Sequence, residues 1–191
     1  MAATMVSGAV QEEGAGLPAE YAGLPAECLE ERWYAAQTYA NHEKRVLEQL
    51  SQRTVEAYLP LYASVRRWKD RRVRLDLPLF PGYVFVRLAL RDRLRTLQTP
   101  GVVRLVGFGG QPTALPDQEI DALRQGLARA IRIEPHPYLK VGRRVRVTTG
   151  PLQGLEGILA RKKNSSRFVI SLDLIMRSVA AEIDVAELEP V

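Results

Sequence analysis

The segment that most constrains the fold is Pro81-Gly82-Tyr83-Val84-Phe85-Val86-Arg87-Leu88. A strand sends successive side chains to opposite faces. Tyr83, Phe85 and Arg87 therefore share one face, and Val84, Val86 and Leu88 share the other. The aliphatic face reads as core. The aromatic face is either a second buried surface or a docking surface, and the function of the chain turns on which it is. Pro81-Gly82 is turn chemistry that fixes where the strand begins.

The pattern around this strand is mixed α and β. Trp33 to Thr38 reads as a strand. Asn41 is placed to cap a helix over residues 42–53, with Val46, Leu47 and Leu50 on one face. Residues 55–68 read as a long strand interrupted at Pro60, and Leu90, Leu94 and Leu97 recur at helical spacing up to Pro100-Gly101. Val102 to Phe108 predicts another strand. Ile120, Leu123, Leu127 and Ile131 then mark an amphipathic helix that starts near Pro116 and Asp117. The predicted order is βαββαβα, an α+β domain over residues 32–132 with an antiparallel sheet covered by helices.

Pro135-His136-Pro137 predicts a stiff linker over 133–137. Beyond it, residues 138–191 change to short strands rich in Val and Ile, punctuated by Gly150, Gly154 and Gly157. That pattern predicts a small all-β barrel. Residues 1–31 carry the near-duplicate Gly16-Leu-Pro-Ala-Glu-Tyr-Ala22 and Gly23-Leu-Pro-Ala-Glu-Cys28, too few copies for a solenoid, and read as a disordered acidic leader.

Charge is unevenly distributed. Residues 1–31 hold six acids and no bases, residues 32–132 hold 18 bases against nine acids, and residues 138–191 hold nine bases against six acids. A basic body fits a polyanionic neighbour such as nucleic acid. The densest run is Arg66-Arg67-Trp68-Lys69-Asp70-Arg71-Arg72-Val73-Arg74. Its alternation predicts Arg67, Lys69 and Arg71 on one side of a hairpin, available to phosphates; a solvated loop is the plainer reading.

Catalytic chemistry has little to stand on. The two histidines, His42 and His136, have no metal-ligand or triad spacing, and one cysteine, Cys28, allows neither an internal disulfide nor a cysteine-based metal cluster. No phosphate-binding glycine loop or nucleophile elbow is present. No apolar run approaches the ~18 residues needed to span a membrane, and Met1 to Val10 shows no signal-peptide pattern. The expectation is a monomeric, cytoplasmic, non-enzymatic protein with no cofactor, no metal and no membrane partner.

The opening strand admits two functional readings. One is an RNA-recognition sheet. Gly82, Tyr83, Phe85 and Val86 match that module's motif, whereas Pro81, Val84 and Leu88 do not, and Trp33-Tyr-Ala-Ala-Gln-Thr38 is a poor fit to the companion motif. The other is a family resemblance. Trp33-Tyr34, then Leu79-Phe80-Pro81-Gly82-Tyr83-Val84-Phe85-Val86, then Gly101-Val102-Val103-Arg104-Leu105-Val106-Gly107-Phe108-Gly109-Gly110 stand in the order of the NusG family of transcription elongation and antitermination factors. Val141-Gly142-Arg143-Arg144-Val145-Arg146-Val147 and Gly150-Pro151-Leu152-Gln153-Gly154-Leu155-Glu156-Gly157-Ile158 resemble the KOW motif of the same family. The resemblance runs from Arg32 to the end of the chain.

The resemblance implies an N-terminal NusG domain followed by a KOW β-barrel. It implies binding to the clamp helices of the largest RNA polymerase subunit, a clamp held closed, and less pausing or termination. The polymerase-binding residues would be Phe80, Pro81, Gly82, Tyr83 and Phe85, with Trp33 and Tyr34 structural or at the edge. Non-template DNA or nascent RNA would meet Lys44 and Arg45, together with Arg66, Arg67, Lys69, Arg71 and Arg72; Arg95 and Thr96 would approach the opposite jaw of the cleft. The KOW loop that meets Rho or a ribosomal protein would be Leu174-Ile175-Met176-Arg177, which lacks the family's aromatic and glycine. That departure and the leader resemble a specialised paralogue of the RfaH or UpxY type. The alternative is an RNA-binding protein that uses the aromatic sheet and the KOW barrel, as ribosomal KOW proteins do.

Overall fold

A computed structural model describes residues 28–67, 71–129, 131, 133–136, 142–162, 165–184 and 187–191. Residues 1–27 of the leader, Trp68 and Lys69 of the basic run, and Val141 lie outside the described residues.

Four strands form the first sheet: β1 (Arg32–Thr38), β2 (Glu56–Tyr58), β5 (Tyr83–Leu88) and β6 (Val102–Leu105), in the order β2-β5-β1-β6. β1 and β5 run antiparallel, with Tyr34 opposite Val86 and Ala35 opposite Phe85. Period-two alternation divides this sheet cleanly. Tyr34, Ala36, Val84, Val86 and Leu88 face one cluster with Val46 and Leu50 of helix α1 (Glu43–Gln52). Trp33, Ala35 and Phe85 face a second cluster with Ile120 and Leu123 of helix α3 (Asp117–Ala128). Both faces of the opening strand are therefore covered, each by its own helix.

Between β2 and β5 the chain leaves the sheet. Strands β3 (Leu61–Arg67) and β4 (Arg72–Pro78) pair only with each other among the described residues, forming a separate two-stranded ribbon. Pro60 supplies the break: Leu79 N–H donates to its carbonyl at 2.8 Å, closing the base of the ribbon. Helix α2 (Arg93–Leu97) is short and follows a 3-10 turn at Leu90–Asp92. A small hairpin of β7 (Gly107–Phe108) and β8 (Gln111–Pro112) precedes α3.

The second sheet is antiparallel, in the order β14-β10-β11-β12-β13-β9. Its strands are β9 (Ile133–His136), β10 (Arg143–Val147), β11 (Glu156–Lys162), β12 (Ser165–Leu172), β13 (Arg177–Ala181) and β14 (Leu188–Pro190). Val145, Val147, Phe168, Ile170 and Val179 supply its buried side. The chain is thus an α+β unit followed by an all-β module.

Several expectations need correction. Residues 133–136 are not a free linker: β9 pairs along β13, with His136 opposite Ser178 and Ile133 opposite Ala181. Pro135 is tolerated there because β9 is the edge strand, where a missing N–H leaves no ladder bond unmade. Asn41 does not cap α1. It adopts a left-handed φ of 63°, His42 takes the N-cap position, and no side-chain cap bond forms. Helix α3 ends at Ala128, before Ile131.

Candidate functional site

The turn at residues 80–83 is held from three sides. Gly82 has a φ of +85°, a left-handed conformation in which any Cβ is strained. Its N–H donates to Oε1 of Glu43 at 2.7 Å, and its carbonyl accepts from the Thr38 N–H at 2.8 Å. Tyr83 N–H donates to the Phe80 carbonyl at 3.2 Å. Glu43 opens α1 and is itself buried, so its hydrogen bond fixes the turn against the helix N-terminus.

This geometry divides the five sequence-predicted docking residues. Pro81 is exposed, and Gly82 and Tyr83 are half-buried. Phe80 and Phe85 are 1 % and 0 % exposed and meet edge to face, ring centroids 5.5 Å apart. The expected open aromatic face is therefore narrower than the sequence suggests. Phe80 and Phe85 build the floor of the turn, and Pro81 and Tyr83 are what it presents. Trp33 and Tyr34 are buried in the two cores, as structural residues.

Helix α3 closes the aromatic face with a charged clamp. The Arg124 guanidinium lies 4.6 Å from the Trp33 ring centroid and 5.0 Å from that of Tyr58, and its Nη2 donates to Oε1 of Glu56 at 3.0 Å. Arg87 approaches the same Glu56 at 3.8 Å. Burial pushes the Tyr58 phenol up to about 12, partly offset by Arg124. With Phe85 buried and Arg124 over Trp33 and Tyr58, this face of the first sheet is not open to base stacking. The RNA-recognition reading fails on that ground.

The basic residues fall into separate groups. Lys44 and Arg45 are exposed in the first turn of α1. On the ribbon, Arg67 stands directly opposite Arg72, and Arg66 opposite Val73. Arg71 and Arg72 are exposed. Arg67 thus shares a face with Arg72, while Arg71 precedes β4 and belongs to no strand pair. Arg95 is exposed, but Thr96 is buried with an unpartnered Oγ1 and is not available to a partner.

The loop at residues 174–177 is also divided. Leu174 is half-buried, Ile175 is buried in the cluster shared with α3, and Met176 and Arg177 are exposed. Met176 occupies a left-handed conformation with φ 49°. The second sheet rests on the outer side of α3. A Cβ at Gly126 would lie 2.9 Å from Leu152 Cδ2 and 3.2 Å from Ile133 Cδ1, so the glycine permits the approach. Burial, with the field of Asp173 adding to it, pushes the Glu119 carboxyl on α3 up to about 7. Among the described residues no group of His, Cys, Asp and Glu could hold a metal ion, and no helix is long and apolar enough to cross a membrane.

Three residues of this arrangement escape sequence reading. Glu43 looks like an ordinary helix-start acid, Arg124 like a solvated helical base, and Glu119 like first-turn dipole chemistry. Only the acid at a helix start, two residues past an exposed Asn, gave any local signal for the first.

The chain resembles known proteins along most of its length. Residues 31–124 match the family model described as NusG, transcription termination factor nusG. The transcription termination/antitermination protein NusG of Lactococcus lactis subsp. lactis is 28% identical over 186 residues, covering 85% of this chain and 95% of that protein. Its namesake from Escherichia coli K12 is 26% identical over 179 residues, covering 86% and 98%. A solved structure of Thermotoga maritima NusG, described for its domain interaction, superposes with a TM-score of 0.55 at 21% identity, covering 86% of this chain and 99% of that one. The fold, the ordered motifs and the matched relatives together place this chain in the NusG family.

Proposed function

We propose that the chain is a transcription elongation and antitermination factor that binds RNA polymerase and reduces pausing or termination. The reading rests on the turn at residues 80–83: an exposed Pro81 and a half-open Tyr83 on a backbone pinned by Glu43 and Thr38. A pre-organised aromatic projection loses little entropy on binding, which suits it to anchor an interface. The partner surface is the clamp helices of the largest subunit. The factor acts by preferring the closed clamp, and its differential affinity for the two clamp states sets how far the equilibrium moves. No covalent step is involved.

Within that role Tyr83 and Pro81 make the contact, and Phe80 and Phe85 hold the turn in place. Lys44 and Arg45 on α1 and Arg71 and Arg72 on the ribbon meet non-template DNA or nascent RNA. Leu174 to Arg177 form the contact of the β module with a ribosomal protein or Rho, in which Met176 and Arg177 are the accessible members. The protein works in the cytoplasm as a monomer.

Co-purification with RNA polymerase tests the division. Tyr83→Ala is expected to lower recovery at least tenfold while the protein stays folded. Wild-type recovery of Tyr83→Ala would move the contact elsewhere.

A further inference from the structure

One face of the β3–β4 ribbon combines two chemistries. The cross-strand pairs Arg67–Arg72, Val65–Arg74 and Ala63–Asp76 share this face, since they stand two residues apart along each strand. All six residues are exposed, Val65 to 65 %. Facing like charges weaken a strand pair, yet Arg67 stands opposite Arg72 with Arg74 next along. Among the described residues none of these three arginines forms an ion pair. Beside them runs an apolar column, Val65 and Ala63 on β3. The face therefore suits a partner that brings carboxylates and short apolar side chains together. The chain itself carries such a segment. Between Ala9 and Glu20 stand Glu12, Glu13 and Glu20 among Val10, Ala15, Leu17 and Ala19, with no base.

We propose that the acidic segment from Ala9 to Glu20 docks on this ribbon face of its own chain, with Glu12, Glu13 and Glu20 against Arg67, Arg72 and Arg74 and its apolar side chains over Val65. A carboxylate between Arg67 and Arg72 turns their repulsion into charge-assisted hydrogen bonds, and arginine clusters are a recurring receiver of acidic motifs. A nucleic-acid backbone would meet the arginines and leave Val65 and Ala63 uncovered, so the mixed face fits the acidic segment better. The chain is long enough. Glu13 stands 15 residues before Cys28, a span of up to about 50 Å when extended. The six residues of β5 and the seven of β3 measure about 20 and 23 Å, so the segment can pass the length of the sheet and still lie along the ribbon. Tethering makes the encounter intramolecular and raises the effective concentration of the acids at the face. Arg72 is then contested: a nucleic acid that meets it under the function proposed above has first to displace the segment. The docking does not rest on that function, because it needs no nucleic acid.

A nitroxide attached to Ser7→Cys in a Cys28→Ser background of the full chain, read in amide proton–nitrogen spectra at low salt and without nucleic acid, tests the docking. The amides of Val65, Arg72 and Arg74 are expected to lose most of their intensity to paramagnetic broadening. Glu12→Gln/Glu13→Gln/Glu20→Gln is expected to restore it, and these positions lie outside the folded sheets, so the ribbon stays intact. An ionic strength of about 1 M, at which charges are screened beyond about 3 Å, is expected to do the same. Full intensity at the ribbon in the labelled chain, or a loss that the glutamine variant leaves unchanged, would overturn the proposal. A loss centred on Lys44 and Arg45 instead would place the segment elsewhere and overturn it too. An equal loss on mixing spin-labelled chain with a separate nitrogen-15 chain would also overturn it, since that contact joins two copies.

Discussion

Glu43 is a buried carboxylate whose Oε1 takes the Gly82 N–H, and the shape of the turn depends on it. Glu43→Ala leaves that N–H without its partner, an expected loss of about 1–3 kcal/mol in chemical denaturation, with weaker polymerase recovery because the turn is released. Glu43→Gln keeps an acceptor and is expected to retain most of both. Phe80→Ala is a different case: it empties a core position, so a loss of about 3–5 kcal/mol is expected. Weak binding by that variant would report unfolding and not contact. Met176 shows the opposite economy. Its φ of 49° costs an L-residue about 1–2 kcal/mol that glycine does not incur. Met176→Gly is expected to raise stability by less than about 1 kcal/mol, since glycine also loosens the unfolded chain.

At the scale of elements, helix α3 is a wedge with two working sides. Ile120 and Leu123 cover the aromatic sheet face, and Gly126 lets Leu152 and Ile133 of the β module come close. Gly126→Leu is expected to part the module from α3 while leaving the N-terminal sheet intact. Nitrogen-15 relaxation would then show two independently tumbling bodies in place of one. A single tumbling body in that variant would show that the approach does not depend on the glycine. The helix itself was legible in the sequence, because Ile120, Leu123 and Leu127 repeat at helical spacing. Its role against a second module was not, because Gly126 acquires meaning from Leu152, 26 positions on, and Glu119 from Asp173, 54 positions on. The same limit separates what was read correctly on the opening strand from what was not. Alternation assigned its two faces, as the two clusters show. It gave no sign that α3 would cover the aromatic one, nor that Pro135 would sit in an edge strand instead of a linker.

For the whole molecule, the contact between α3 and the β module carries a proton linkage. The Glu119 carboxyl rises from the usual 4.5 to about 7, through burial first and the field of Asp173 second. A raised carboxyl stabilises the form in which it is buried fully below pH 4.5, and that contribution is lost as pH rises through about 7. The two parts are therefore expected to tumble together more completely at pH 5.5 than at pH 8, and Glu119→Gln should remove that difference. The proposed association with polymerase is likewise a preference for one of two states, expressed through a small surface. The measurement that bears on it most directly is the lifetime of a defined pause in purified, single-round transcription, with the full chain added to an elongation complex of its cognate polymerase. The account predicts a shorter pause with the wild-type chain and no shortening with Tyr83→Ala. An unaltered pause with the wild type, or equal shortening by the Tyr83→Ala variant, would contradict it.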